Sequence, residues 1–221
     1  MTRSNPVWDA PTRLIHWAFP VGVGLMWWSG ETGRMQIHSY VAYVLITLVV
    51  TRLTWGFVGS YHSRFSNFVV GPRKIARYVT QGDDVVGHNP LGALSTVALL
   101  LVLLAQGVSG LFSVDDVTFD GPLAYAFDGV LIDAASEWHE TNWRILQGLV
   151  VLHLSAIAWY QWRKNRPMIQ TMWRGSFADR VGKEAPVHFT RAVFIAVITA
   201  VVLSALPVSY THLTLPTILR V

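Results

Sequence analysis

Long apolar runs separated by polar stretches dominate this chain and set its architecture before any single residue is weighed. The runs extend from Leu14 to Gly30, Ile37 to Gly59, Leu91 to Phe112, Trp138 to Trp162 and, shorter, Arg191 to Pro207. A helix crossing the hydrocarbon layer needs about 20 predominantly apolar residues. The pattern predicts an all-α chain: an integral membrane four-helix bundle with a fifth C-terminal transmembrane helix. It divides into an N-terminal segment (1–13), a transmembrane domain (14–175), a loop with the fifth helix (176–208) and a tail (209–221). Composition agrees, since 52% of the 221 residues are apolar and only 14% are charged.

Charge then orients the bundle. Arg64, Arg73, Lys74 and Arg77 follow the second run, and Arg163, Lys164, Arg166, Arg174, Arg180 and Lys183 follow the fourth. Cations flank the cytoplasmic ends of spans, so both segments and the N-terminus are expected inside a bacterial inner membrane that the chain crosses several times. The stretch from Ser113 to Glu137 carries Asp115, Asp116, Asp120, Asp128, Asp133 and Glu137 with no Lys or Arg, and belongs outside. It fits either an ordinary solvated loop or an acidic docking face for a basic partner. No small-residue cleavage site follows the first run, so that run is expected to stay in the mature chain.

The formal charge of +4 does not point to nucleic acid, because the cations are confined to loops beside apolar spans. Contact with membrane lipid accounts for them. The absence of cysteine excludes disulfides, thiolate-ligated haem, covalent c-type attachment and cysteine-held iron–sulfur clusters. Any metal must use nitrogen or oxygen ligands.

Four histidines stand in or at the mouths of the spans: His16, His38, His139 and His153. An ionisable group at membrane depth is costly and needs a partner. His139 and His153 are 14 residues apart, which is about 21 Å along a helix and nearly four turns, so they share a stripe at opposite leaflets. By level, His38 pairs with His139 outside and His16 with His153 inside. Paired imidazoles across a helix bundle suit an iron porphyrin, giving two haem b groups with irons about 20 Å apart. Singly, each histidine fits an interhelical hydrogen bond equally well; matched depths favour ligation. Zinc is the rival, but His139-Glu140 lacks the second histidine of a His-Glu-x-x-His helix, since position 143 is Trp.

Arg52 lies 14 residues after His38 and so reaches the inner level on the same stripe. It fits a haem propionate, a quinone head group or a snorkelling interfacial role, and Arg13 beside His16 has the same options. His88, before Pro90 at the start of the third span, can cap that helix, meet a propionate, line a quinone pocket or simply sit at the interface, and its position favours capping or interfacial placement. His62 and His188 are expected at the surface. Tryptophans such as Trp17, Trp27, Trp28, Trp138 and Trp143 either pack on porphyrins or form the interfacial belt, and their clustering at span ends favours the belt.

The run Val7-Trp8-Asp9-Ala10-Pro11-Thr12-Arg13-Leu14-Ile15-His16-Trp17 resembles the opening of the bacterial cytochrome b561 and nickel–iron hydrogenase cytochrome b superfamily. So do His38 with Tyr43, the Arg52–Ser60 stretch, Gly87-His88-Asn89-Pro90-Leu91-Gly92, His139-Glu140 with His153, and Arg166-Pro167-Met168. The likeness covers residues 7–175. It implies a four-helix core with two non-covalent, bis-histidine b haems that pass electrons between quinone or quinol and a redox partner. His16, His38, His139 and His153 match the ligand positions. A periplasmic c-type cytochrome or hydrogenase subunits would serve as partner; a superoxide:quinone oxidoreductase acting alone and a haem-bearing membrane anchor are the alternatives. Iron with both axial positions filled carries electrons and does not bind substrate. The string from Ser209 to Thr217 resembles translated sequencing-adapter read-through, so the native chain is expected to diverge beyond about Pro207, and His212 is given no role.

Overall fold

A computed structural model describes residues 7–81, 87–115, 119–176 and 189–218, with side chains in the last stretch described as far as Leu203. The segment carrying Arg180, Lys183 and His188, and the side chain of His212, lie outside the described residues. The described residues are helical with no strand beyond an isolated bridge between Val114 and Asp120. The long helices are α1 (Ala10–Glu31), α2 (Met35–Val58), α5 (Pro90–Phe112), α6 (Gly129–Ala158) and α8 (Phe189–Ile218). Between them lie the short α3 (Phe65–Phe68), α4 (Pro72–Gln81) and α7 (Met168–Arg174).

Local sequence starts these helices earlier than hydropathy predicts. Asp9 caps α1 by accepting from the Thr12 amide at 2.9 Å, with Pro11 in the first turn. Asn89 caps α5 through the Gly92 amide at 2.7 Å. Asp128 caps α6 through the Leu131 amide at 3.0 Å, so α6 begins at Gly129 and the polar segment between α5 and α6 ends there and not at Glu137. At its other end α6 widens into a π-helical turn, Trp159–Arg163, from which the Tyr160 hydroxyl meets that of Tyr78 on α4 at 2.8 Å.

Among the described residues three helices are long and apolar enough to cross a membrane: α2, α5, and α6 with its continuation to Arg163. α1 is 22 residues long but carries Arg13, His16, Pro20 and Glu31, which lower its apolar character. The apolar part of α8 described here runs from Phe189 to Leu203.

Packing relies on small residues, as expected where lipid supplies no hydrophobic drive between helices. A side chain added at Gly22 would meet Leu45 at 2.5 Å, and one added at Gly107 would meet Ile46 at 2.5 Å. These glycines let α1 and α5 approach α2 closely. α8 packs on α2, and the main packing partner of α6 is α5. Residues of α1, α2, α5 and α6 together line a cleft between these helices.

Candidate haem centres

The basal end of the bundle is where α1 begins and α2 ends; the apical end is the opposite one. His38 on α2 and His139 on α6 face each other at the apical end, their ring centroids 6.5 Å apart. Both line a cleft of about 350 Å³, within the range of small-molecule sites, together with Trp27, Trp143 and Phe119. Each ring is held through Nδ1. The Ser29 hydroxyl lies 3.2 Å from His38 Nδ1 and donates its own proton to the Met26 carbonyl, so the imidazole donates to it. His139 Nδ1 is 3.1 Å from the Gln106 carbonyl oxygen and 3.0 Å from Ser109 Oγ. A proton on Nδ1 puts the lone pair on Nε2, the arrangement usual for metal-bound histidine. Gly110 gives the His139 ring its space, for an added Cβ would lie 2.9 Å from Cε1.

At the basal end His16 on α1 and His153 on α6 lie within electrostatic reach of each other. His153 Nδ1 is 3.4 Å from the Ser95 hydroxyl, while His16 Nδ1 is buried without a hydrogen-bond partner. Arg13 Nε, Trp17 Nε1, Arg64 Nε and His88 Nδ1 are likewise buried and unpartnered. A buried polar atom left unsatisfied is costly, so a basal layer rich in such atoms is chemically matched to an acceptor-bearing ligand such as a porphyrin propionate.

The remaining residues singled out from sequence gather at the same end. Arg52 is only 4% exposed and therefore does not snorkel. It donates to the Ser63 carbonyl at 3.4 Å and lies over the Phe65 ring, 5.5 Å from its centroid. Arg13 runs beneath the end of α7, where Gly175 takes φ +87 and an added Cβ would sit 2.7 Å from Arg13 Nη1. The Gly175 carbonyl accepts from the Trp8 amide at 2.9 Å, closing the basal mouth. His88 sits between Trp8 and Phe68, at 4.6 and 4.4 Å between ring centroids. Burial, reinforced by Arg52, His62, His16 and His153, lowers its imidazole to about 3, so it is neutral at physiological pH. The cap of α5 is Asn89, which removes capping as the role of His88. His62, expected at the surface, is half-buried and within electrostatic reach of His88.

Sequence reasoning missed the groups that orient these rings, namely Ser29, Ser95, Gln106, Ser109 and Asn142, and it missed a basal hub at Asp9. Besides capping α1, Asp9 accepts from Trp55 Nε1 at 2.8 Å and from the Ser63 hydroxyl at 3.0 Å. Burial on its own raises this carboxyl, but hydrogen bonds from Ser60, Thr12 and Trp55 outweigh it and hold Asp9 below its ordinary range. Trp17 is half-buried between His16 and Trp173, whereas Trp27, Trp28 and Trp138 are exposed in the manner of an interfacial belt.

Among the described residues no cluster of three or more His, Asp or Glu side chains can hold a bare metal ion. The described residues instead combine helices long and apolar enough to cross a membrane with two imidazoles that face each other between them, the features of an integral-membrane helical protein with a nitrogen-lined site. The chain belongs to the prokaryotic cytochrome b561 family, whose model matches residues 7–175. It is thus a membrane b-type cytochrome, an electron-transfer protein that binds haem b. It is 24% identical over 216 residues to a protein of Azotobacter chroococcum named "Probable Ni/Fe-hydrogenase B-type cytochrome subunit", covering 79% of this chain and 90% of that one. A protein of the same name from Bradyrhizobium diazoefficiens is 27% identical over 116 residues, covering 38% of this chain and 47% of its own length. No solved structure matches the chain.

Proposed function

We propose that this protein carries two b haems and conducts electrons across a bacterial inner membrane between the quinone pool and a redox partner in the periplasm. His38 and His139 ligate the apical haem, and His16 and His153 the basal one. The facing of His38 and His139, together with the electrostatic reach between His16 and His153, supports the reading most directly. Bound haem b supplies a one-electron iron couple. The chain fixes the tautomers of the apical imidazoles, excludes water with apolar helix faces, and offers Arg13, Arg52, Trp17 and His88 to the propionates or to a quinone carbonyl at the basal mouth. The basal end faces the cytoplasm with the N-terminus, in keeping with the cations of α4 and of the segment after α6. The relatives' names favour hydrogenase subunits as partner over a soluble c-type cytochrome.

Purified full-length protein should give a reduced-minus-oxidised b-type spectrum and two haems per chain by pyridine haemochrome. A water-soluble quinol should then reduce both. A folded, colourless preparation from haem-replete cells overturns the proposal.

A further inference from the structure

The proposed electron path leaves one well-ordered group of the apical layer without a role, the side chain of Gln106. Its orientation is set by Asn142, which is 1% exposed. The Asn142 amide nitrogen donates to the Val102 carbonyl at 3.0 Å and to Gln106 Oε1 at 2.7 Å, so both its protons are used on α5. With Oε1 engaged, Gln106 turns its own amide nitrogen to His139 Nε2 at 3.1 Å. The imidazole must accept there, and its proton resides on Nδ1 against the Gln106 carbonyl and Ser109. That is the tautomer a metal requires, yet its lone pair is covered. At the basal end no such arrangement exists around His16, whose Nδ1 has no partner.

We propose that Gln106 is a placeholder for iron: in the haem-free chain its amide occupies the His139 lone pair, keeps the ring in the ligating tautomer, and gives way when haem enters. This rests on His139 being an apical ligand. Substituting the Gln106 side chain removes the cover but leaves its backbone carbonyl and Ser109, so the tautomer survives.

Full-length protein from haem-depleted cells is mixed with hemin and uptake followed at the Soret band, the apical phase being the one absent in His139→Ala. Gln106→Leu should speed the apical phase roughly 2- to 10-fold, the equivalent of one net hydrogen bond, with the basal phase and the final haem count unchanged. Gln106→Met, closer in shape, should do the same and guards against misfolding of the first variant. An apical phase that is unchanged or slower in both variants overturns the placeholder. If the wild-type chain takes up no haem, the haem-ligand reading itself falls, and the placeholder with it.

Discussion

The two ends of the bundle solve the same problem in opposite ways. At the apical end the protein completes its own hydrogen bonds: Ser29, Ser109 and the Gln106 carbonyl hold both imidazoles, and a cleft stands beside them. At the basal end five buried polar atoms, on Arg13, His16, Trp17, Arg64 and His88, have no partner, although the surrounding scaffold of Asp9, Thr12, Trp55 and Ser63 is fully tied together. One layer sets its ring geometry with its own hydrogen bonds; the other is stiff in its frame around polar atoms that no protein group satisfies. Ligand binding should therefore gain more from new polar contacts at the basal end and more from preset ring geometry at the apical end.

The largest test of this contrast is removal of one ligand from each layer. His139→Ala and His16→Ala should each leave one haem per chain, and if either variant retains two, the division into layers is broken. Next, Asp9→Ala should cost about 2–4 kcal/mol, from the lost cap and the stranded Trp55 donor. That loss is measurable as a drop in the unfolding midpoint while the apical haem spectrum persists until unfolding. The same carboxyl carries a pH signature. Because its folded pKa lies below the ordinary 3.8, its contribution is present above that value and lost as pH falls through the folded one. Asp9→Asn should flatten acid destabilisation in that window.

Smaller effects sharpen the apical side. Gly110→Ala should push the His139 ring and cost about 1–3 kcal/mol, seen as faster loss of the apical haem to a scavenging apoprotein with the basal haem retained. Ser29→Ala should weaken apical retention by about 0.5–1.5 kcal/mol. Ser95→Ala should do less at the basal layer, since its contact with His153 is 3.4 Å against 3.2 Å for Ser29 and His38. Equal effects would erase the asymmetry.

The long helices were legible in the sequence because they depend on local pattern. The second and third runs, Ile37–Gly59 and Leu91–Phe112, differ from α2 and α5 by two residues or fewer at either end. The fourth was drawn nine residues short at its start, because hydropathy does not register the polar first turns that Asp128 caps. Depth along a helix needs only the rise per residue, so Arg52 could be placed at the basal level from its distance to His38, but its burial depends on α3 and the turn at Ser63, which no pattern encodes. The same holds for the polar residues within α5 and α6. Gln106, Ser109 and Asn142 are visible as interruptions of apolar runs, while their common target, His139, emerges only when the two helices meet.

The backbone bond from Trp8 to Gly175 joins the two extremities of the family-matched segment. A ribosome delivers Trp8 first and Gly175 only after all four long helices of that segment have been synthesised. The latch across the basal mouth thus cannot close until every one of those helices has been made. Truncation just ahead of α7 would leave a barrel of helices with its hatch ajar.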